Sequence, residues 1–209
     1  MARGERFTPP SLCHVRRGPA KLYTARKRSP AGSDPWLVAV RRGIQISDRT
    51  TQCAPFLTSD PNWTQQELED SGAVFTAQQV FEIVAALRSN QAELVTRQGI
   101  DGIMTKSATE QMKEWVVQCT LKMPRHLAGT LAYNHWHMDW RDLIPRINLP
   151  TLIISGRASA AAPWKSQKWI HRQIKGSQLE VFEEAEGGQH FMFIENPEKF
   201  NRMIMKYLG

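Results

Sequence analysis

Residues 149–156, LPTLIISG, followed by PWKSQKWIHRQI (163–174), QLEVF (178–182) and EGGQHFMFIENPEKFNRMIMKYL (186–208), decide how this chain folds. Pro150 leads into TLIIS (151–155), a run of the kind buried on both faces of a parallel sheet, and Gly156 ends it. PWKSQKWIHRQI reads as a helix with Pro163 in its first turn. QLEVF is a second strand, and EEAEGGQH (183–190) is the loop that follows. Asn196-Pro197 is a cap with proline at the first helical position, opening a helix whose inner face is Phe200, Met203, Ile204 and Tyr207. Strand, helix, strand, loop, helix is the closing section of a doubly wound α/β sheet. Two strands alone do not make a stable sheet, so something must pair with them.

Upstream of this section the pattern is helical. Thr64-x-x-Glu67, Thr76-x-x-Gln79 and Ser107-x-x-Glu110 read as three capping boxes, each satisfying two N–H groups at a helix start. Val80, Ile83, Val84 and Leu87 mark one apolar face, with Leu94 and Val95 further along. Met112, Trp115, Val116 and Cys119 do the same after Ser107. Pro124 marks a break, and the stretch to Tyr133 is a further short helix. Three parts result: residues 1–52, a basic Pro/Arg-rich head; 53–148, a helical segment; and 149–209, an α/β portion.

Composition narrows the class. With 209 residues, 41% hydrophobic and 22% charged, the chain has the make-up of a globular domain. No apolar run approaches the ~18–20 residues that span a bilayer, so no membrane partner is expected. MARGERFTPPSLC lacks the apolar stretch of a secretory signal. Cys13, Cys53 and Cys119 are too few and too scattered for a disulfide framework or a zinc site, which points to a reducing, cytoplasmic compartment.

The net charge of +7 is uneven. Residues 1–50 hold 11 lysines and arginines against Glu5, Asp34 and Asp48, a net of +8, while 51–209 carry a net of −1. Prolines at 9, 10, 19, 30 and 35 break any helix in the head, and periodicity is absent until WLVAV (36–40), a short candidate strand. Four readings of the head stand side by side: a disordered tail, an organellar transit peptide, a nucleic-acid-binding arm, or residues not evolved for this fold because of a shifted frame or altered gene start. Phe7, Tyr23 and Trp36 are too sparse for a stacking platform, so nucleic acid is disfavoured as a partner.

His190 is the leading functional candidate, because it lies just past a strand's carboxyl end, where open α/β sheets place their sites. Gly187 and Gly188 release the backbone before it. Taken alone, a lone histidine is more often structural. LPTLIISG, PWKSQKWI and EGGQHFMFIENPEKFNRMIMKYL together resemble the C-terminal section of α/β-hydrolase-fold enzymes, in the bacterial esterase, lactonase and cofactor-free haloperoxidase-like branch. The segment beginning at CAPFLTSDPNW (53–63) and including GAVFTAQQVFEIV (72–84) is similar to that family's helical lid. YNHWHMDWRDLIPRINLP (133–150) resembles the stretch from lid to next strand. The resemblance covers about residues 53–209 and implies an incomplete α/β-hydrolase fold, a helical lid followed by the last strands and helices of the doubly wound sheet. It implies His190 as general base, a small acyl substrate, and neither cofactor nor metal.

The family's pattern is not fully present. Its serine sits on a G-x-S-x-G turn, and no G-x-S-x-G occurs in this sequence. Ser155, Ser159 and Ser166 lack such an elbow. GRASAAAPW (156–164) offers no aspartate, and Thr50-Thr51-Gln52 stands where other relatives place the acid; Asp139, Asp142 and Glu183 to Glu186 are substitutes no motif supports. His135-x-His137-x-Asp139 invites a metal reading, but Trp140 stands where a further histidine belongs and His14, His126 and His171 show no ligand spacing. Of the body's tryptophans, Trp63, Trp136, Trp140 and Trp164 are candidates to wall an acyl pocket, and Trp115 and Trp169 read as core by helical spacing. Two functions remain open. One is an esterase- or lactonase-type hydrolase, truncated or altered, with little or no activity. The other is a non-catalytic binding or oligomerising module whose basic head meets an anionic partner, with self-association through the open sheet edge.

Overall fold

A computed structural model describes residues 54–208. The readings of residues 1–52, the WLVAV strand, Cys13, His14 and Cys53 all lie outside the described residues. Eight helices, two strands and two short 3-10 turns are described, in the order helices first and α/β section last.

The helical section comprises α1 (Gln65–Ser71), α2 (Ala77–Arg88), α3 (Ala92–Ile103), α4 (Glu110–Leu121) and α5 (Arg125–His137). Two of the three capping boxes form: Thr64 with Glu67, and Thr76 with Gln79. The third does not. Thr109, whose side chain accepts from the Met112 amide, caps α4, while Ser107 shares a hydrogen bond with Thr105. Both residues carry a hydroxyl able to cap, and the turn at 104–108 brings Thr109 into place. Val80 and Val84 are buried as their spacing requires, but Leu94 is 58% exposed. A turn at 89–91 separates α3 from α2, so Leu94 does not continue the face of α2. The face of α3 that packs inward carries Ala92, Thr96 and Ile100. Helix α5 begins directly after Pro124 and runs four residues past Tyr133.

The α/β section holds β1 (Leu152–Gly156), α6 (Trp164–Gln173), β2 (Gln178–Phe182), α7 (Met192–Glu195) and α8 (Pro197–Leu208). The strands pair in parallel, Ile153 against Leu179 and Gly156 against Phe182. Gly156 is therefore the last residue of β1 and not a stop beyond it. Pro163 caps α6 from outside its first turn. Asn196 behaves as read: its Oδ1 accepts from the Lys199 amide 3.2 Å away, and its Nδ2 donates to the Glu186 carbonyl.

Each face of this strand pair is covered by a helix. Ile153 packs with Ile144, Ile170 and Ile174, joined by Trp140 and Trp169, on the α6 side. Ile154 and Phe182 pack with Met192, Phe200, Met203 and Ile204 on the α8 side. Burial on both faces explains why TLIIS shows no alternation. A third cluster joins the helical section to the α/β section: Ile100, Met104, Val116 and Val117 meet Ile194, with Trp115, Phe191 and Phe193 against them. The segment 54–59 is laced across the helical section. Its Leu57 carbonyl accepts from the Val74 and Phe75 amides, and Pro55 accepts from Trp140. No helix among the described residues is long and apolar enough to cross a membrane.

Candidate active site

The loop from Phe182 to Phe191 is built by close approach. Gly187 has φ +84°, a left-handed conformation that favours glycine. Gly188 serves differently. A Cβ there would lie 2.2 Å from the Phe182 carbonyl oxygen, and one on Gly156 would lie 2.2 Å from that of Gln189. The loop therefore folds back onto the ends of both strands, and no side chain fits between. Hydrogen bonds hold it there: Ala158 N–H to Gly188 O at 3.0 Å, Arg157 N–H to Phe182 O at 2.8 Å, and Gly188 N–H to Glu183 O at 3.0 Å.

The helical section clamps the same loop from above. The His190 amide donates to the Ile103 carbonyl at the end of α3, 3.1 Å away. Gln189 accepts from the Ala160 amide through Oε1 and donates through Nε2 to Gly102 O. Glu195 in α7 accepts from both the amide and the hydroxyl of Thr105. Glu195 and Gln189 are structural residues of the site that sequence reasoning missed. Their signal was weak, since each acts through a partner nearly ninety residues away in the chain.

His190 thus sits past the carboxyl ends of two parallel strands, where the sheet geometry of α/β proteins places ligands. Burial, aided by the neighbouring His135, pushes its imidazole down to about 4. The ring is neutral at pH 7 and able to accept a proton. Among the described residues none is hydrogen-bonded to it. Phe191 lies 5.2 Å from it, ring to ring.

The other candidates are engaged elsewhere. Glu183 bonds Arg157 at 2.9 Å, and Glu186 bonds Lys199 at 2.5 Å; each ion pair holds its carboxyl below the usual range. Asp139 pairs with Arg141 at 2.6 Å. The three serines are buried: Ser155 and Ser166 donate to backbone carbonyls, and Ser159 accepts from Ala162. His135-x-His137-x-Asp139 lies at and beyond the end of α5, not after a strand. His137 is bonded through Nδ1 to the Tyr133 carbonyl and stacks on that tyrosine, 4.2 Å between rings. His135 is half-buried, and burial holds its imidazole below the usual range. Among the described residues no group of three or more His, Cys, Asp or Glu side chains is placed to hold a metal ion. Trp115 and Trp169 pack into the core as their spacing indicates. Trp63 and Trp164 lie under the guanidinium groups of Arg141 and Arg157. A groove of about 600 Å³ runs between α1 and the start of α6, and one of about 230 Å³ lies beside Glu195; His190 lines neither.

No family model matches the chain. A pimeloyl-[acyl-carrier protein] methyl ester esterase of Neisseria meningitidis is 36% identical over 70 residues, 34% of this chain and 26% of that protein. The AB hydrolase superfamily protein YisY of Bacillus subtilis is 29% identical over 102 residues, 49% of this chain and 37% of its own length. Among solved structures, the esterase EaEST of Exiguobacterium antarcticum superposes with a TM-score of 0.63 at 24% identity, covering 74% of this chain and 53% of that one. Other matches carry the names of peptidases, lactonases and haloperoxidases of the same fold. The chain thus spans about half the length of the solved relative and less of the curated ones. Each of these comparisons points to proteins of the α/β-hydrolase fold, and residues 54–208 form part of that fold.

Proposed function

We propose that this chain carries the general-base half of an acyl-hydrolysing site of the esterase or lactonase kind, with His190 as the base and the helices of 54–148 as its lid. The observation that carries the reading is the placement of His190: on the loop past the carboxyl ends of two parallel strands, with its own amide bonded to Ile103 of α3 and the loop bonded beyond the strand ends through Gly188. In that chemistry the imidazole takes the proton of an attacking hydroxyl and returns it to the leaving group. It uses neither metal nor cofactor, and its substrate is a small ester or lactone. The imidazole here has no carboxylate partner among the described residues, the sequence contains no G-x-S-x-G, and Ser155, Ser159 and Ser166 are bonded away from the loop. By itself the chain therefore has little or no activity.

A short-chain p-nitrophenyl ester assay combined with a fluorophosphonate probe tests both halves of the reading. The expected result is background turnover and no labelled serine. Stoichiometric labelling of a serine would overturn the inactive part, and hydrolysis unaffected by His190→Ala would overturn the role of His190. The net +8 of residues 1–50 supports a second reading, a binding module with a basic arm for an anionic partner. Salt-sensitive binding to a polyanion that disappears on removing residues 1–50 is its expected signature.

A further inference from the structure

Helix α5 has one face packed and one face open. Gly129 is buried against α2, where a Cβ on it would lie 2.6 Å from the Arg88 side chain. Trp136, on the same face, stacks on Phe75 with 4.8 Å between rings, and its carbonyl accepts from the Thr58 hydroxyl. Leu127 and Leu131 lie four residues apart and share the opposite face, 50% and 58% exposed. Met123 and Met138, also exposed, stand just before and just after the helix. Exposed apolar surface of this kind, rimmed by polar residues, marks a contact with a partner or a membrane.

Charge separates those two. Residues 121–138, LKMPRHLAGTLAYNHWHM, contain no aspartate or glutamate. Lys122 and Arg125 are exposed at the start of α5, and among the described residues neither makes an ion pair. Arg88 adds a third cation alongside the helix, donating to the Thr130 hydroxyl 3.1 Å away. A second copy of the chain would meet this stretch with the same positive charges and no acid. Neither groove described above is lined by a residue of α5. The stripe is a ridge, whereas tight protein contacts seat an anchor in a pocket. Acyl chains need no matching pocket, and anionic headgroups match the cations.

We infer that α5 docks on an anionic lipid surface, with Leu127 and Leu131 entering the acyl boundary and Arg88, Lys122 and Arg125 meeting the headgroups. Such docking needs no bilayer-spanning length, which was the ground for expecting no membrane partner. It does not rest on the role proposed for His190. Residues 1–50, with a net charge of +8, can adsorb on the same surface by charge alone, so the variants must tell the two apart.

The test sediments the full 209-residue chain with vesicles of phosphatidylcholine alone and of phosphatidylcholine mixed equally with phosphatidylglycerol. Binding to the mixed vesicles is expected, with weaker binding to the neutral ones. Leu131→Glu should lower the partition coefficient about tenfold or more, because a charge then enters the apolar boundary. Arg125→Gln should lower it about fivefold. Leu94→Glu, an equally exposed position on α3, makes the same change in charge and should leave partition within about twofold. Circular dichroism checks that each variant folds, and Leu127→Glu takes the place of Leu131→Glu if the latter does not. Equal effects of Leu131→Glu and Leu94→Glu would mean adsorption by charge alone and would overturn the inference. Absence of binding, or equal binding to both kinds of vesicle, would overturn it too. So would self-association without vesicles that Leu131→Glu abolishes, because a second copy would then cover the stripe.

Discussion

At the scale of the residue, His190 and the glycines around it set the behaviour of the site. The folded imidazole titrates at about 4 against an ordinary value of 6.5, because burial penalises its charged form. Above pH 6.5 both folded and unfolded chains hold it neutral. Below that value the unfolded chain gains a proton that the folded one refuses, so stability falls as pH drops from about 6.5 to about 4. The loss should be on the order of 1–3 kcal/mol. Urea unfolding at pH 7 and pH 4.5 will measure it, and His190→Gln should remove that part of the difference. A pH-independent gap between wild type and variant would contradict the assignment. Glycine positions offer a second contrast. Gly156→Ala places a methyl 2.2 Å from a carbonyl oxygen, and its cost should exceed about 2 kcal/mol or prevent folding. Gly99→Ala, in α3 with open space around it, should stabilise by about 0.5–1 kcal/mol. Thermal melts of the two variants should move in opposite directions.

At the scale of the element, α7 has four residues and no side-chain cap of its own. What fixes it is Glu195, whose carboxylate takes the Thr105 amide and hydroxyl from the α3–α4 connection. Glu195→Ala leaves the buried Thr105 amide without that partner, and a loss of about 1–3 kcal/mol is expected. Hydrogen exchange should rise at Thr105 and His190 together, since the His190 amide bonds Ile103 two residues earlier. Faster exchange at Thr105 alone would show that the two clamps are independent. Helix starts were legible in the sequence where a hydroxyl and a long polar side chain stood three apart, as at Thr64 and Thr76. At 107–110 two hydroxyl residues competed for one cap, and the turn geometry, which depends on Glu195, favoured Thr109.

At the scale of the whole molecule, helical section and strand pair meet through one shared cluster, Val116 and Val117 against Ile194 with Phe191 and Phe193. If that cluster couples the sections, Val117→Ala should cost about 1–3 kcal/mol and lower one common transition. Circular dichroism reports the helices, and fluorescence of a background with the other five tryptophans changed to phenylalanine reports Trp164 and Trp169 in the α/β section. The two melting curves should stay superimposed in the variant; separate midpoints would mean that the sections unfold independently.

The order strand, helix, strand, loop, helix and the caps at Thr64, Thr76 and Asn196 were determined by the sequence itself. They rest on contacts between residues a few positions apart, and β2 begins and ends where QLEVF does. The place of His190, on the loop that follows β2, was legible for the same reason. The tertiary structure alone decided that Gly156 and Gly188 are required by mutual approach, that Leu94 faces solvent, and that Glu195 and Gln189 clamp the loop. It also decided that no described serine or carboxylate is bonded to His190. Those outcomes depend on which distant segments come together, a matter of packing that local spacing does not encode.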